Sequence, residues 1–433
     1  MAHINRVWRN IAAASIGNVI EWYDFGVYGY MAIVISKVIF SGSGSSLFLT
    51  FLAFGVGFIF RPLGSIFFSH YGDKIGRKNM LLITFWVMGI ATLLTGLTPD
   101  YSTVGLLAPI LITIFRIIQG FGAGGEWGGV GAYLTEFGGS NKRAFYGSIQ
   151  QFFVLMALLA GSLTGFALSY TPTSFLYSIG WRLPFVIGGL ILLPIAFILR
   201  RRMDETTPFV SVKEKKEILK YPIKDVFIKD WKPTLLVLFG TMIWTVSFYI
   251  MLTYLPTYLK TTTHLLSSQT FLITSIGITV IMVFVPIIGK LSDRMRKRKI
   301  FAIIGSAAFL ILVYPIFYLI HQAGFIEIIL LVAFLDFFIA FLSGTLVAFF
   351  AESFPTNERY SGFVPYNLSV AIFGGFAPSI AVELINLTKD PLSPTYYLIV
   401  AAVASLISFI LMKETGQLQE LPEKSIYRKE ETI

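Results

Sequence analysis

Apolar runs long enough to cross a hydrocarbon layer of roughly 30 Å recur from one end of this 433-residue sequence to the other. No other feature constrains the fold as strongly. Backbone N–H and C=O groups inside a bilayer meet no water, so each spanning segment must close its own hydrogen bonds as a helix or share them in a closed barrel. Barrel strands need only about ten residues, and these runs are about twice that or longer, so helices are expected. Twelve spans are predicted, over 11–38, 47–71, 79–98, 104–136, 144–169, 182–202, 233–259, 267–291, 299–321, 324–352, 361–387 and 394–412. The longer ones have room to tilt or protrude. Only 13% of residues are charged, against about 25% in soluble domains. The first run carries acids, precedes further spans and has no small-residue cleavage pattern, so it reads as a retained helix and not a signal peptide. Cysteine is absent, which excludes disulfides and thiol chemistry.

The net charge of +10 points to the membrane surface and away from nucleic acid, because the cations alternate with the spans. Of 34 Lys and Arg, 28 fall on alternate segments of one side, four on the other (Lys37, Arg182, Lys260, Lys389), and two, Arg61 and Arg116, inside spans. Positive charge stays on the cytoplasmic side, so both termini are expected there, in a multi-pass protein of the plasma membrane. The longest basic segment, at 203–232, divides the chain into six spans and six. The predicted organisation is an N-terminal six-helix bundle over 1–202, a cytoplasmic loop over 203–232, a C-terminal six-helix bundle over 233–412 and a tail over 413–433.

The halves echo each other. LSDRMRKRK (291–299) repeats YGDKIGRKN (71–79) at an offset of 220, with Asp293 against Asp73 and Lys297 against Arg77. TEFGGSNKR (135–143) and AESFPTNER (351–359) match at an offset of 216, setting Glu352 against Glu136. Two matches at nearly one offset indicate a duplication, the parallel repeat on which many transporters rock around a central site. The expected fold is therefore an all-α membrane protein, twelve transmembrane helices in two pseudo-symmetric bundles.

GDKIGRK (72–78) matches the loop signature of the major facilitator superfamily. GNVIEWYDFGVYGY (17–30), RPLGSIFFSHYGDKIGRK, RIIQGFGAGGEWGG, GWRLPF and ERYSGFVPYNLSVAIFGGFAP sharpen the likeness, and together they resemble the metabolite:proton symporter family over nearly the whole chain. That family includes permeases for proline and betaine, 2-oxoglutarate, citrate and shikimate. The resemblance implies the major facilitator fold and proton-coupled transport of an organic acid or zwitterion. It also implies that Asp73 and Arg77 gate the cytoplasmic side, that Glu136 pairs with Arg77 in the outward-open state, and that Asp293, Lys297 and Glu352 do likewise in the second half.

Charges inside the spans are more informative, because an ionisable group in hydrocarbon costs about 3 kcal/mol or more unless it is paired or faces water. Glu21, Arg61 and Glu126 each lie ten residues from the basic end of their span, about 15 Å at 1.5 Å per residue. That is the bilayer midplane, where transporters place substrate and coupling ions. Asp24 lies one turn further out, and Arg116 further still. Three acids (Glu21, Asp24, Glu126) face two arginines, so one acid is expected to lack a fixed partner and to carry the proton. Glu21, level with Arg61, is the expected structural partner, and Asp24 the expected proton site. Arg116 and Arg61 are candidates to hold a substrate carboxylate, since a guanidinium keeps its own proton. The competing reading is a set of structural ion pairs that tie the N-terminal helices together.

GFGAGGEWGG (120–129) holds six glycines in ten residues, as close approach of a neighbouring backbone or a ligand requires. Trp22, Tyr23, Tyr28 and Trp127 flank the acids, and Trp244, Tyr249 and Tyr366 sit in spans seven and eleven. They are candidates for a cation–π cage around a betaine-like ligand, or for ordinary interfacial aromatics. Away from the span ends, Asp336 and Glu383 are the intramembrane acids of the C-terminal half. The four histidines show no metal-ligand spacing, and no nucleophile–base motif is visible. The expected protein is therefore no enzyme and has no cofactor or metal. It is read as a monomeric symporter importing a small organic carboxylate or zwitterion with protons by alternating access. A proton-driven exporter is the alternative, and a non-transporting sensor a remote one.

Overall fold

In a computed structural model, the chain is described over residues 2–75, 77–137, 141–192, 194, 198, 227–228, 230–263, 265–354 and 361–417. Among these residues every regular element is helical. Nine stretches of the described residues are long and apolar enough to cross a membrane, from Ser46–Phe68 in the first half to Pro394–Leu411 at the end. Leu82–Gly96 is a shorter apolar helix. Each of the twelve predicted spans overlaps described helix. Large aliphatic side chains stand exposed around the rim, among them Ile311, Leu330, Val400 and Leu411. On a soluble protein such a surface would drive association; here it is the face that lipid covers.

The duplication reappears as matching breaks in the helices. The fourth span is two helices, Leu107–Gly124 and Trp127–Phe137, and the tenth is Phe325–Ser343 and Leu346–Ser353. Gly344 at the second break stands 219 positions after Gly125 at the first. The first span breaks at Met31, between Ala2–Tyr30 and Ala32–Val38, and the seventh contains a π-helical turn over Ile250–Tyr254. The two halves are six-helix bundles of one design.

They meet along several seams. Arg143–Leu168 packs along Ser267–Met295, where Ser162 Oγ donates to the Phe271 carbonyl (3.2 Å) and Ser275 Oγ to Ser162 Oγ (2.9 Å). Ala2–Tyr30 reaches the seventh span, and the Tyr30 hydroxyl donates to the Leu252 carbonyl at 2.7 Å. Ser46–Ile75 packs on the eleventh span, with Gly55 against Phe376 and Gly375 against Phe58. Between the seams lies the interior that the buried charges and aromatics share.

Candidate functional site

The polar stripe of the first helix carries Asn18, Glu21, Asp24 and Tyr28 at spacings of three and four, on one helical face, and all four are buried. Two arginines from neighbouring helices meet it. Arg61, from Ser46–Ile75, pairs with Glu21, and both side chains are wholly buried. Arg116, from Leu107–Gly124, grips Asp24 with two nitrogens, Nη1 at 2.8 Å from Oδ2 and Nη2 at 3.4 Å from Oδ1. Such a fork holds a carboxylate by geometry as well as charge. The guanidiniums also lie on aromatic faces: Arg116 is 4.3 Å from the centre of the Tyr28 ring, and Arg61 is 4.7 Å from Phe58, 5.0 Å from Phe25 and 5.4 Å from Trp22.

Asp24, the acid expected to be without a fixed partner, is thus held by Arg116. The two intramembrane arginines are engaged by the first helix, one acid each. The sequence pattern could not foresee this, because Arg116 sits further from the basic end along its own span than Asp24 does along the first, and relative helix shifts are invisible in one dimension. Glu126 is fully buried at the break between Leu107–Gly124 and Trp127–Phe137.

Close backbone contact explains the glycine run. A Cβ on Gly120 would collide with the Gly57 carbonyl, one on Gly124 with the Arg61 carbonyl, and one on Gly64 with the Phe121 carbonyl. The two arginine-bearing helices therefore touch backbone to backbone, and this brings Arg61 and Arg116 to the same helix, Ala2–Tyr30.

A narrow central cavity lies beside this array, lined by Trp22, Gln151, Trp244, Thr245, Phe248, Tyr249 and Tyr366. Both halves contribute, and none of the lining side chains is charged. Three of its polar atoms are buried without a hydrogen-bond partner among the described residues: the Trp22 indole N–H, the Gln151 amide nitrogen and the Tyr249 hydroxyl. Trp244 is fixed by its indole N–H, which donates to Ser343 Oγ at 2.8 Å. Tyr366 stacks on Trp127 with ring centres 3.9 Å apart. Of the aromatics named as cage candidates, Trp22, Trp244, Tyr249 and Tyr366 line the cavity, whereas Tyr23, Tyr28 and Trp127 do not. Trp127 backs Tyr366, the Tyr28 hydroxyl donates to the Thr50 carbonyl (3.1 Å), and Arg61 and Arg116 stand outside the lining. Gln151, Thr245 and Phe248 were missed. Gln151 left a trace as half of a Gln–Gln pair inside an apolar span, whereas Phe248 is one of 41 phenylalanines and left none.

At the basic end the halves are latched by charge. Asp293 accepts from the backbone N–H groups of Ala144 (3.1 Å) and Phe145 (2.8 Å), the first turn of Arg143–Leu168, where a helix favours an anion. Glu352 is buried and takes Arg298 through Oε1 (3.1 Å) and Oε2 (3.2 Å), with Arg143 of the other half at 3.6 Å. Thr415 Oγ1 donates to Glu352 at 2.6 Å, and Arg298 also reaches Asp293 at 2.9 Å. The expected partner of Glu352, Lys297, is exposed; the neighbouring Arg298 takes its place, because its planar fork serves two buried carboxylates at once. The side chains of Asp73, Arg77 and Glu136, the first-half counterparts, lie outside the described residues.

A helical duplication latched at its charged end, with buried ion pairs inside apolar helices and a narrow cavity lined from both halves, defines a membrane transporter. Residues 14–378 and 266–417 match the family model of the Major Facilitator Superfamily. The proline/betaine transporter of Escherichia coli (strain K12) is 37% identical, over 94% of this chain and 83% of its own. The citrate-proton symporter of Salmonella typhi is 34% identical over 93% of each. The xylose transporter XylE from E. coli, in a partially occluded inward-open conformation, superposes with a TM-score of 0.76 at 17% identity, over 95% of this chain and 99% of that one. The chain belongs to the major facilitator superfamily, on the metabolite:proton symporter branch that its motifs resemble.

Proposed function

We propose that this protein is a proton-coupled symporter that imports a small zwitterion by alternating access. The lining of the central cavity carries the substrate class. It offers aromatic faces, which attract a substituted ammonium by about 0.5–2 kcal/mol each, and three neutral donors, which suit a carboxylate. A ligand whose charges cancel needs both and leaves no net charge in an apolar site. The proline/betaine relative is named for ligands of that kind. The citrate relative is named for a polyanion, whose charge an uncharged lining does not offset.

Asp24 is the proposed coupling site. A proton on its carboxylate weakens the fork to Arg116 and frees the first and fourth spans to reseat, while Glu21 and Arg61 remain a fixed pair. Glu126, at the break in the fourth span, is the second candidate. The latch of Asp293, Arg298 and Glu352, with its first-half counterpart Asp73, Arg77 and Glu136, opens and closes the cytoplasmic face. The moving bodies are 1–202 and 233–412, joined by 203–232, with both termini in the cytoplasm.

Thermal unfolding of the purified protein with glycine betaine, proline or citrate tests the substrate class. A ligand at a hundred times its Kd adds about 2.7 kcal/mol to stability, so betaine or proline is expected to raise the melting temperature while citrate leaves it unchanged. Stabilisation by citrate alone would refute the zwitterion reading.

A further inference from the structure

Asp336 is a buried acid that the mechanism above does not use. Asp336 lies in Phe325–Ser343, is fully buried, and neither of its carboxyl oxygens has a hydrogen-bond partner among the described residues. Space for it is made by Gly277 of Ser267–Met295, where a Cβ would run into Asp336 Oδ2.

Its position in the duplication is informative. Asp336 stands 220 residues after Arg116, and Gly277 stands 220 after Gly57, the offset of the loop echo. Gly57 packs against the backbone of Arg116 as Gly277 packs against the side chain of Asp336. The second half therefore sets an acid where the first half sets the arginine that holds Asp24. Asp24 itself corresponds to Trp244, which is uncharged, so the repeat supplies Asp336 with no opposite charge.

An ionised carboxylate with neither cation nor donor is among the costliest groups to bury, and in practice such a group takes up a proton. No charged side chain from Ser267–Met295, Lys299–Ile320 or Met242–Tyr249 acts on Asp336 among the described residues. Tyr30 belongs to the other half: it crosses the seam to bond the Leu252 carbonyl, with its ring edge-on to Phe271 at 6.1 Å. Asp336 thus lies against Ser267–Met295, the helix whose Phe271 receives the Tyr30 ring, and that contact must break whenever the halves part there.

We propose that Asp336 is a proton-binding residue of the transport cycle in the C-terminal half, holding a proton while Tyr30 bridges the seam and releasing it to water when the halves separate. The step forms and breaks one carboxyl O–H bond and exchanges its proton with solvent. It rests on the symport reading above and adds a proton site to it.

One proton per substrate over one pH unit is worth about 1.4 kcal/mol, or about tenfold accumulation. In proteoliposomes under an imposed pH gradient, Asp336→Asn is expected to accumulate substrate about tenfold less per pH unit than wild type, while gradient-free counterflow continues. Equal accumulation by the two proteins overturns the assignment of Asp336 alone. A wild-type protein that does not accumulate substrate under the gradient overturns the symport reading and this proposal together. Infrared difference spectra provide a readout independent of transport: a titrating carboxyl band present in wild type must be missing from Asp336→Asn, and its persistence refutes the site. Should the asparagine protein fail to fold, the band must shift in Asp336→Glu, and an unshifted band refutes the site as well.

Discussion

Glu21 and Asp24 sit one turn apart and are each bound to an arginine, yet their neutralised variants are expected to fail differently. Glu21→Gln leaves the guanidinium of Arg61 buried among Trp22, Phe25 and Phe58 without its charge partner. Breaking a buried pair from one side costs roughly 3–5 kcal/mol, so a clear fall in melting temperature is expected, with proton coupling retained by the folded fraction. Asp24→Asn is expected to retain counterflow and lose gradient-driven accumulation; unchanged accumulation would remove Asp24 from the coupling step. Both acids were legible in the sequence because any charge in an apolar run stands out. Which arginine each would meet was not, because pairing depends on how neighbouring helices slide past one another. The cavity lining was less legible still: Trp22 and Tyr249 look like any membrane aromatic until their unspent donors are seen to face one space.

At the level of the helices, glycine decides which backbones touch. Gly120→Ala places a methyl group on the Gly57 carbonyl, so it is expected to push Leu107–Gly124 away from Ser46–Ile75, lower the melting temperature and pull Arg61 and Arg116 out of register with the first helix. Gly44→Ala, in open space, serves as the control and is expected to match wild type. A Gly120→Ala protein as stable as the control would show that the helices have slack there. The six-in-ten glycine run announced a close approach in advance, but not its partner. The positions of the helices were legible because hydropathy is a one-dimensional signal. Their internal breaks, at Met31, Gly125–Glu126 and Gly344–Thr345, were missed, since an interruption of one or two residues is averaged out of a hydropathy pattern that spans twenty or more.

The whole molecule is two copies of one bundle facing each other, and the duplication was legible from two short echoes. The latch was legible only in part: Asp293 and Glu352 stood out, but four consecutive cations at 296–299 gave no reason to prefer Arg298. Because the chain has no cysteine, single introduced thiols report accessibility cleanly. Val347 packs against Gly131 and Gly147 near the latch. Labelling of Val347→Cys by a membrane-impermeant maleimide, applied from the basic side, is expected to accelerate in an Arg298→Gln background, and an unchanged rate would show that the latch does not hold the halves. The central claim, that a proton gradient drives a zwitterion inward, is tested most directly by uptake of labelled glycine betaine or proline into proteoliposomes of the purified protein. Accumulation is expected under an inwardly directed proton gradient, with collapse on adding a protonophore. Accumulation that ignores the protonophore, or no accumulation of either zwitterion while citrate is concentrated, would contradict it.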